Sequence, residues 1–202
     1  YKAPPAKGQE LIRSDDLIFG GDLFGEEQLG RALVGLPRSS YTVGTKYSHG
    51  PAAYIEDIEK GVDESLQRLG VDSIDLYYLH RPIMGCKTKE QLVQAMRALK
   101  ACVLQGKIRH IGLSEIGVEW LRVAHAVHPI AAIQMEWSLA SREIEADIVP
   151  VCIELGIGIV AYAPLARLML ALNKDEIAKP EAVIGSGWAA MQFERYLGEN
   201  LA

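Results

Sequence analysis

Two kinds of segment alternate along the chain. Short apolar runs rich in Val, Ile and Tyr are typical of strands that are buried on both faces of a parallel sheet. Six such runs lie at 16–19, 41–47, 74–80, 108–114, 130–136 and 156–164. Longer segments with apolar residues at helical spacing lie at 26–36, 54–70, 88–106, 117–129 and 143–156. This alternation predicts an α/β fold, in which helices flank a parallel sheet.

Two of the helical segments carry signals for where their helices begin. Thr88 and Gln91 form a capping box at the start of segment 88–106. Pro150 lies inside segment 143–156, where it predicts either a kink or a late helix start.

Two architectures fit a parallel sheet with helices, an open doubly wound sheet and a (β/α)8 barrel of the TIM type. A dinucleotide-binding doubly wound sheet has GxGxxG directly after its first strand. The chain has no such motif, and the glycines of "GIGIVAYAP" lead into a strand instead. This favours the barrel, of which the chain supplies about six of the eight strands.

We expect one domain over residues 1–202, with an irregular lead over 1–15 and an irregular C-terminal segment over 173–202. The stretch "AVIGSGW" at 182–188 is the one remaining strand-like piece of the sequence. A barrel with six strands has two open edges, and open edges favour pairing with another chain. Self-association through the sheet edges is therefore a prediction.

Composition narrows the classes of partner. A net charge of −5 supplies no basic field for phosphates, so we expect no nucleic-acid partner. The three cysteines show no CxxC spacing, which predicts neither a disulfide framework nor a metal site and is typical of a cytoplasmic protein. Pro164 and Arg167 interrupt the most apolar stretch, 156–172, which is shorter than the roughly 20 residues that span a bilayer. We therefore expect no membrane partner.

Polar side chains stand where successive predicted strands end. These residues are Lys46, His80, Ser114 with Glu115, Gln134 with Glu136, and Tyr162. In a (β/α) barrel the chemistry lies at the carboxyl ends of the strands, so these groups are candidates for one site. Polar residues are also common at strand ends for structural reasons, and the pattern alone leaves both interpretations open.

Six sequence motifs occur one after another along the chain. They are "VGTKY", "SLQRLGVDSIDLYYLHRP", "GKIRHIGLSE", "AHAVHP", "IQMEWSL" and "REIEADIVPVCIELGIGIVAYAPL". Together they resemble the aldo-keto reductase superfamily, and most of all its perakine-reductase-like and auxin-induced-protein-like branch. The resemblance implies a (β/α)8 barrel, NADPH as cofactor, and hydride transfer from the nicotinamide to the carbonyl of a small aldehyde or ketone.

The resemblance also implies roles for single residues. Lys46 matches the lysine that lowers the pKa of the catalytic acid, and His80 matches the histidine that orients the substrate carbonyl. Ser114 and Gln134 match residues that bind the nicotinamide carboxamide, and Tyr162 matches the residue that stacks on the nicotinamide ring. The loop that wraps the cofactor pyrophosphate is matched by Ala163, Pro164, Leu165 and Arg167.

The chain departs from the family at the catalytic acid. The family pattern Asp-Thr-Ser-Asp-x-Tyr-Gly is replaced by "FGGDLFG" at 19–25. Phe24 stands at the tyrosine that donates the proton, and Phe19 stands at the aspartate that pairs with the lysine. A phenyl ring has no proton to donate. An alternative is therefore a catalytically impaired relative that acts as a binding or partner protein.

Overall fold

The structure, a computed structural model, describes residues 23–47, 57–166, 170–171 and 173. Its strands are β1 (Gly44–Tyr47), β2 (Ile74–Leu79), β3 (Ile108–Ser114), β4 (Ile130–Glu136) and β5 (Gly158–Tyr162). Its helices are α1 (Leu23–Leu33), α2 (Ile58–Leu69), α3 (Pro82–Gly85), α4 (Lys89–Leu104), α5 (Val118–Val127) and α6 (Ile148–Leu155). Short 3-10 helices occur at Arg38–Ser40 and Glu143–Glu145.

The five strands pair in the order in which they occur in the chain, and every pair is parallel. Parallel strands joined by right-handed crossovers in this order place their helices on one face of the sheet. A doubly wound sheet instead reverses its strand order at a switch point. The order within the described part of the chain therefore confirms the barrel-type α/β fold over the doubly wound alternative.

The predicted elements agree with the structure in type and differ at their ends. Strands 108–114 and 130–136 have the predicted bounds, whereas β1 begins at Gly44 and β5 covers 158–162. The prediction for Pro150 is settled as a late start, because α6 begins at Ile148, whose N–H donates to the Asp147 carboxylate at 2.6 Å. The lead over 1–15, the strand-like runs 16–19 and 182–188, and the C-terminal segment apart from Asn173 lie outside the described residues.

The capping box predicted at the start of α4 is present with one change. The Thr88 hydroxyl accepts from the Gln91 N–H at 3.3 Å, as expected. The Gln91 side chain accepts from the Lys87 N–H at 2.6 Å, one residue before the usual partner. No helix among the described residues has both the length and the apolar character needed to cross a membrane.

The core lies between the helices and the face of the sheet that they cover. The strands contribute Tyr47, Tyr77, Leu79, Ile111, Leu113 and Ile133, and the helices contribute Ile58, Val62, Leu92, Met96 and Leu99. Because side chains alternate along a strand, burial of one set turns the other set toward the opposite face. Tyr47 is thus packed in the core, and its neighbour Lys46 is available for the other face.

Two buried carboxylates join the elements around β1. Glu26 of α1 accepts from the Thr45 hydroxyl and from Arg68 Nε of α2, both at 2.6 Å. Asp75 of β2 accepts from the Val43 N–H at 2.8 Å and from Arg38 Nη2 at 2.6 Å, and Arg109 Nη1 lies 2.9 Å from its second oxygen. Burial opposes ionisation of Asp75, but these hydrogen bonds and charges outweigh it and lower the pKa of its carboxyl group.

We expect Asp75→Asn to reduce the free energy of unfolding by about 2 kcal/mol at pH 7, because it weakens three charge-assisted contacts at a buried position. The folded pKa is below the unfolded value of about 3.9, so the stabilisation is complete above that value and is lost as pH falls through the folded pKa. Urea unfolding of both proteins at pH 7 and pH 3 measures this, and the difference should shrink at pH 3. In the control Asp63→Asn, an exposed carboxylate that pairs with Lys107, the change should stay below about 0.5 kcal/mol. An unchanged free energy of unfolding in Asp75→Asn at pH 7 would contradict this explanation.

Candidate functional site

A cavity of about 320 Å³ opens at the carboxyl ends of the strands. It is lined by Lys46, His80, Arg81, Ser114, Glu115, Gln134 and Tyr162. These residues lie in or directly after all five strands, because parallel strands that pair in order bring their carboxyl ends to one edge. The structure therefore brings together six of the seven residues named at the predicted strand ends, all except Glu136.

Lys46 is positioned by an aromatic residue that the sequence analysis missed. Its ammonium nitrogen lies 5.7 Å from the centroid of the Tyr78 ring, which belongs to the neighbouring residue on β2. A cation at this distance is attracted by the π face of the ring. Tyr78 is 5% exposed, and its burial raises the pKa of the phenol, so the ring stays neutral. Tyr78 could have been found from the sequence, because side chains alternate along a strand and Tyr78 therefore lies on the same face of β2 as His80.

The Tyr78 ring occupies its place because residue 112 is glycine. A Cβ atom at Gly112, the neighbour of Tyr78 on β3, would stand 2.4 Å from Cδ1 of the ring. No side chain fits there without moving the ring. Gly112, Tyr78 and Lys46 therefore form a stack across three adjacent strands.

Tyr162 lies beside two carboxylates at the other end of the cavity. Its hydroxyl donates to Glu136 Oε2 at 3.5 Å, and Glu115 Oε1 accepts from the Glu136 N–H at 3.3 Å. Burial raises the pKa of the Tyr162 phenol, the hydrogen bond and charge of Glu115 and the charge of Glu136 raise it further, and the Arg81 charge opposes them. Tyr162 is therefore held as a neutral ring that does not readily release a proton.

The remaining predicted residues differ in their placement. Ser114 lines the cavity at 2% exposure, whereas the His80 side chain is exposed at the cavity and its backbone N–H donates to the Tyr47 carbonyl. Ala163, Pro164 and Leu165 follow β5 in a turn closed by the Ala166 N–H and the Ala163 carbonyl, and they are not among the lining residues. Arg167 lies outside the described residues.

Trp137 and His125 both have structural contacts. The Trp137 indole N–H donates to Glu145 Oε1 at 3.0 Å, and the residue is not among those that line the cavity. His125 Nδ1 accepts from the Ile130 N–H at 3.2 Å. Within the described ranges, no group of three or more His, Cys, Asp or Glu side chains is arranged to hold a metal ion.

Backbone strain collects at the edge of the cavity. Glu115 and Ala163 directly follow β3 and β5, and Arg81 is the second residue after β2. All three have positive φ, with values of 53°, 49° and 50°. Non-glycine residues rarely adopt this conformation, and strained residues of this kind cluster at functional sites. Arg81 and Glu115 both line the cavity. Glu115 is one of the strand-end candidates predicted from the sequence, whereas Arg81 is not. Arg81 was hidden because nothing in a local sequence pattern marks a residue with positive φ.

Comparison with known proteins identifies close relatives. Residues 21–184 match the Aldo/keto reductase family. A soybean (Glycine max) protein described as probable aldo-keto reductase 1 is 44% identical over 170 residues, which cover 80% of this chain and 47% of that protein. The chain thus spans about half the length of this curated relative.

Solved structures share the fold. The glycerol dehydrogenase from Gluconobacter oxydans is 28% identical with a TM-score of 0.71, and the match covers 89% of this chain and 56% of that one. An aldo/keto reductase from Klebsiella pneumoniae, solved in complex with NADP and acetate, is 27% identical with a TM-score of 0.63, and the match covers 84% and 60%.

We expect Gly112→Ala to lower the free energy of unfolding by about 1–3 kcal/mol, because the added methyl group collides with the Tyr78 ring. Gly25→Ala is the matched control, since Gly25 is exposed in α1 and nothing lies within 4 Å of a Cβ there. This control should stabilise the protein by about 0.5–1 kcal/mol. Urea unfolding measures both changes, and equal effects of the two variants would show that Tyr78 does not require glycine at position 112.

Proposed function

The chain belongs to the aldo/keto reductase family, and on that premise we propose that its cavity binds NADPH and reduces the carbonyl group of a small aldehyde or ketone. The observation that carries the proposal is the convergence of Lys46, His80, Ser114, Gln134 and Tyr162 on one cavity. These residue types supply a cation, an imidazole, two hydrogen-bonding groups and an aromatic ring. A cation and an imidazole suit the negative charge that develops on a carbonyl oxygen, and the hydrogen-bonding groups and the ring suit a nicotinamide.

The residues at β3, β4 and β5 fit the nicotinamide end of the cofactor. Ser114 offers a hydroxyl and Gln134 offers an amide, which can both donate to and accept from a carboxamide. Tyr162 offers a flat neutral ring. When bound, NADPH would supply the hydride for the carbonyl carbon. Beyond β5, the proposed pyrophosphate loop consists of Ala163, Pro164, Leu165 and Arg167.

Lys46 and His80 are the proposed catalytic residues. The carbonyl oxygen gains negative charge during reduction, and donors aimed at that oxygen lower the barrier. His80 donates a hydrogen bond to the oxygen, and Lys46, held over the Tyr78 ring, stabilises the charge. The proton then comes from His80 or Lys46, directly or through water, because the Tyr162 phenol has a raised pKa.

One observation favours a second function, that of a binding protein without turnover. Phe24, which stands at the position of the family's acidic tyrosine, lies in the first turn of α1. Glu26 anchors this turn to β1 through Thr45, directly before Lys46. In this alternative the cavity binds NADPH, but no group delivers the proton.

We expect NADPH to quench the tryptophan fluorescence of the protein. Gln134→Leu should weaken NADPH binding at least about tenfold, because it removes both hydrogen-bonding groups of the amide. Gln94→Leu changes an exposed glutamine on α4 and should leave binding unchanged. No quenching by NADPH and no heat of binding in calorimetry would count against both functions.

The combined change Phe24→Tyr with Phe19→Asp should raise the rate of reduction of small aldehydes by about 10²–10⁴-fold, the usual contribution of a general acid. Loss of NADPH absorbance measures the rate. Adding Lys46→Met should remove most of the gain. If the protein binds NADPH but neither it nor the restored variant reduces any aldehyde, the binding function is correct and the reductase function is wrong.

A further inference from the structure

Arg81 has a backbone conformation that suits few residue types. It lies between His80 and Pro82, at the N-cap of α3, with φ 50° and ψ 66°, and makes no side-chain capping bond. Glycine and asparagine adopt this left-handed conformation with less strain. An arginine here is explained better by its side chain than by its backbone. The side chain is exposed and lines the cavity.

Arg81 also differs from most other arginines in its pairing. Six of the eight arginines in the described ranges form ion pairs with carboxylates: Arg31, Arg38, Arg68, Arg109, Arg122 and Arg142. Arg81 and Arg97 form none with a described residue. Arg97 is exposed on α4, far along the chain from any cavity-lining residue, whereas Arg81 faces the cavity.

The charge of Arg81 reaches the interior of the cavity. It opposes the rise in the pKa of the Tyr162 phenol on β5, which burial, Glu115 and Glu136 cause. The residues proposed for the nicotinamide, Ser114, Gln134 and Tyr162, come from β3, β4 and β5. Lys46, His80 and Arg81, which come from β1 and from the end of β2, line the same cavity and add two cations to it.

The position of Arg81 next to His80 suggests which other chemical group the substrate carries. If a carbonyl lies at His80, the next residue along the chain offers a guanidinium to another part of the same molecule. A guanidinium presents two parallel N–H donors, which match the two oxygens of a carboxylate. A neutral substrate would leave this group to water.

We propose that Arg81 binds a carboxylate group of the substrate, so that the preferred substrates are short oxo acids. The inference rests on the proposed carbonyl reduction and names its substrate class. It makes Arg81 a specificity-determining residue that contacts the end of the substrate opposite the reacting carbonyl.

The test compares 4-oxobutanoate with its methyl ester, which has the same aldehyde and no charge. The ratio of their kcat/KM values should favour the acid, and Arg81→Gln should lower that ratio about 10- to 100-fold, as expected for loss of a charge-assisted hydrogen bond. Arg81→Lys should give an intermediate ratio, because it keeps the charge and loses the paired donors. Arg97→Gln removes the other arginine without an ion pair and should leave the ratio unchanged.

A binding measurement tests the contact between Arg81 and a carboxylate without any turnover. Calorimetry with 4-hydroxybutanoate, with and without NADP, should show binding that Arg81→Gln weakens about tenfold or more and Arg97→Gln does not. No binding to the unaltered protein, or equal binding to Arg81→Gln, overturns the proposal. Failure to bind NADPH or to reduce the methyl ester counts instead against the proposed function, since neither reaction involves the carboxylate.

Discussion

Parallel pairing of the strands in chain order is the constraint on which the cavity depends. Each helix returns the chain to the amino end of the next strand, so all five strands run in one direction and end at one edge. Groups that follow those ends meet there, although they are far apart in the sequence. Lys46 of β1 and Tyr162 of β5 line the same cavity for this reason alone.

The two faces of the sheet have different tasks. Tyr47 and Tyr77 pack in the core under the helices, where Gly61 of α2 approaches the Tyr47 ring closely. Their chain neighbours Lys46 and Tyr78 lie on the opposite face. Tight packing on the helical face therefore determines where the cavity residues stand, because a strand cannot shift one side chain without shifting the next.

The buried carboxylates around β1 and the cations of the cavity have different partners. Asp75 and Glu26 are buried, and each accepts hydrogen bonds from several donors, which offset the cost of burying a carboxyl group. In the cavity, Lys46 rests on an aromatic face and Arg81 has no ion pair with a described residue. Cations at a cavity that form no ion pair with a described residue are suited to a ligand that carries negative charge or develops it.

The sequence alone determined the element types, the parallel α/β class and the polar residues at the strand ends. Those properties are local: burial repeats every two residues in a strand and every three to four in a helix, and Lys46, His80, Ser114, Gln134 and Tyr162 each lie at or near the end of an apolar run. Tertiary structure decided what depends on register between strands. It chose the barrel-type strand order, placed Tyr78 under Lys46 because Gly112 lies behind the ring, turned Trp137 to Glu145, and brought Arg81 into the cavity through a left-handed backbone. No local pattern encodes these contacts, because each joins or positions residues through the packing of different elements.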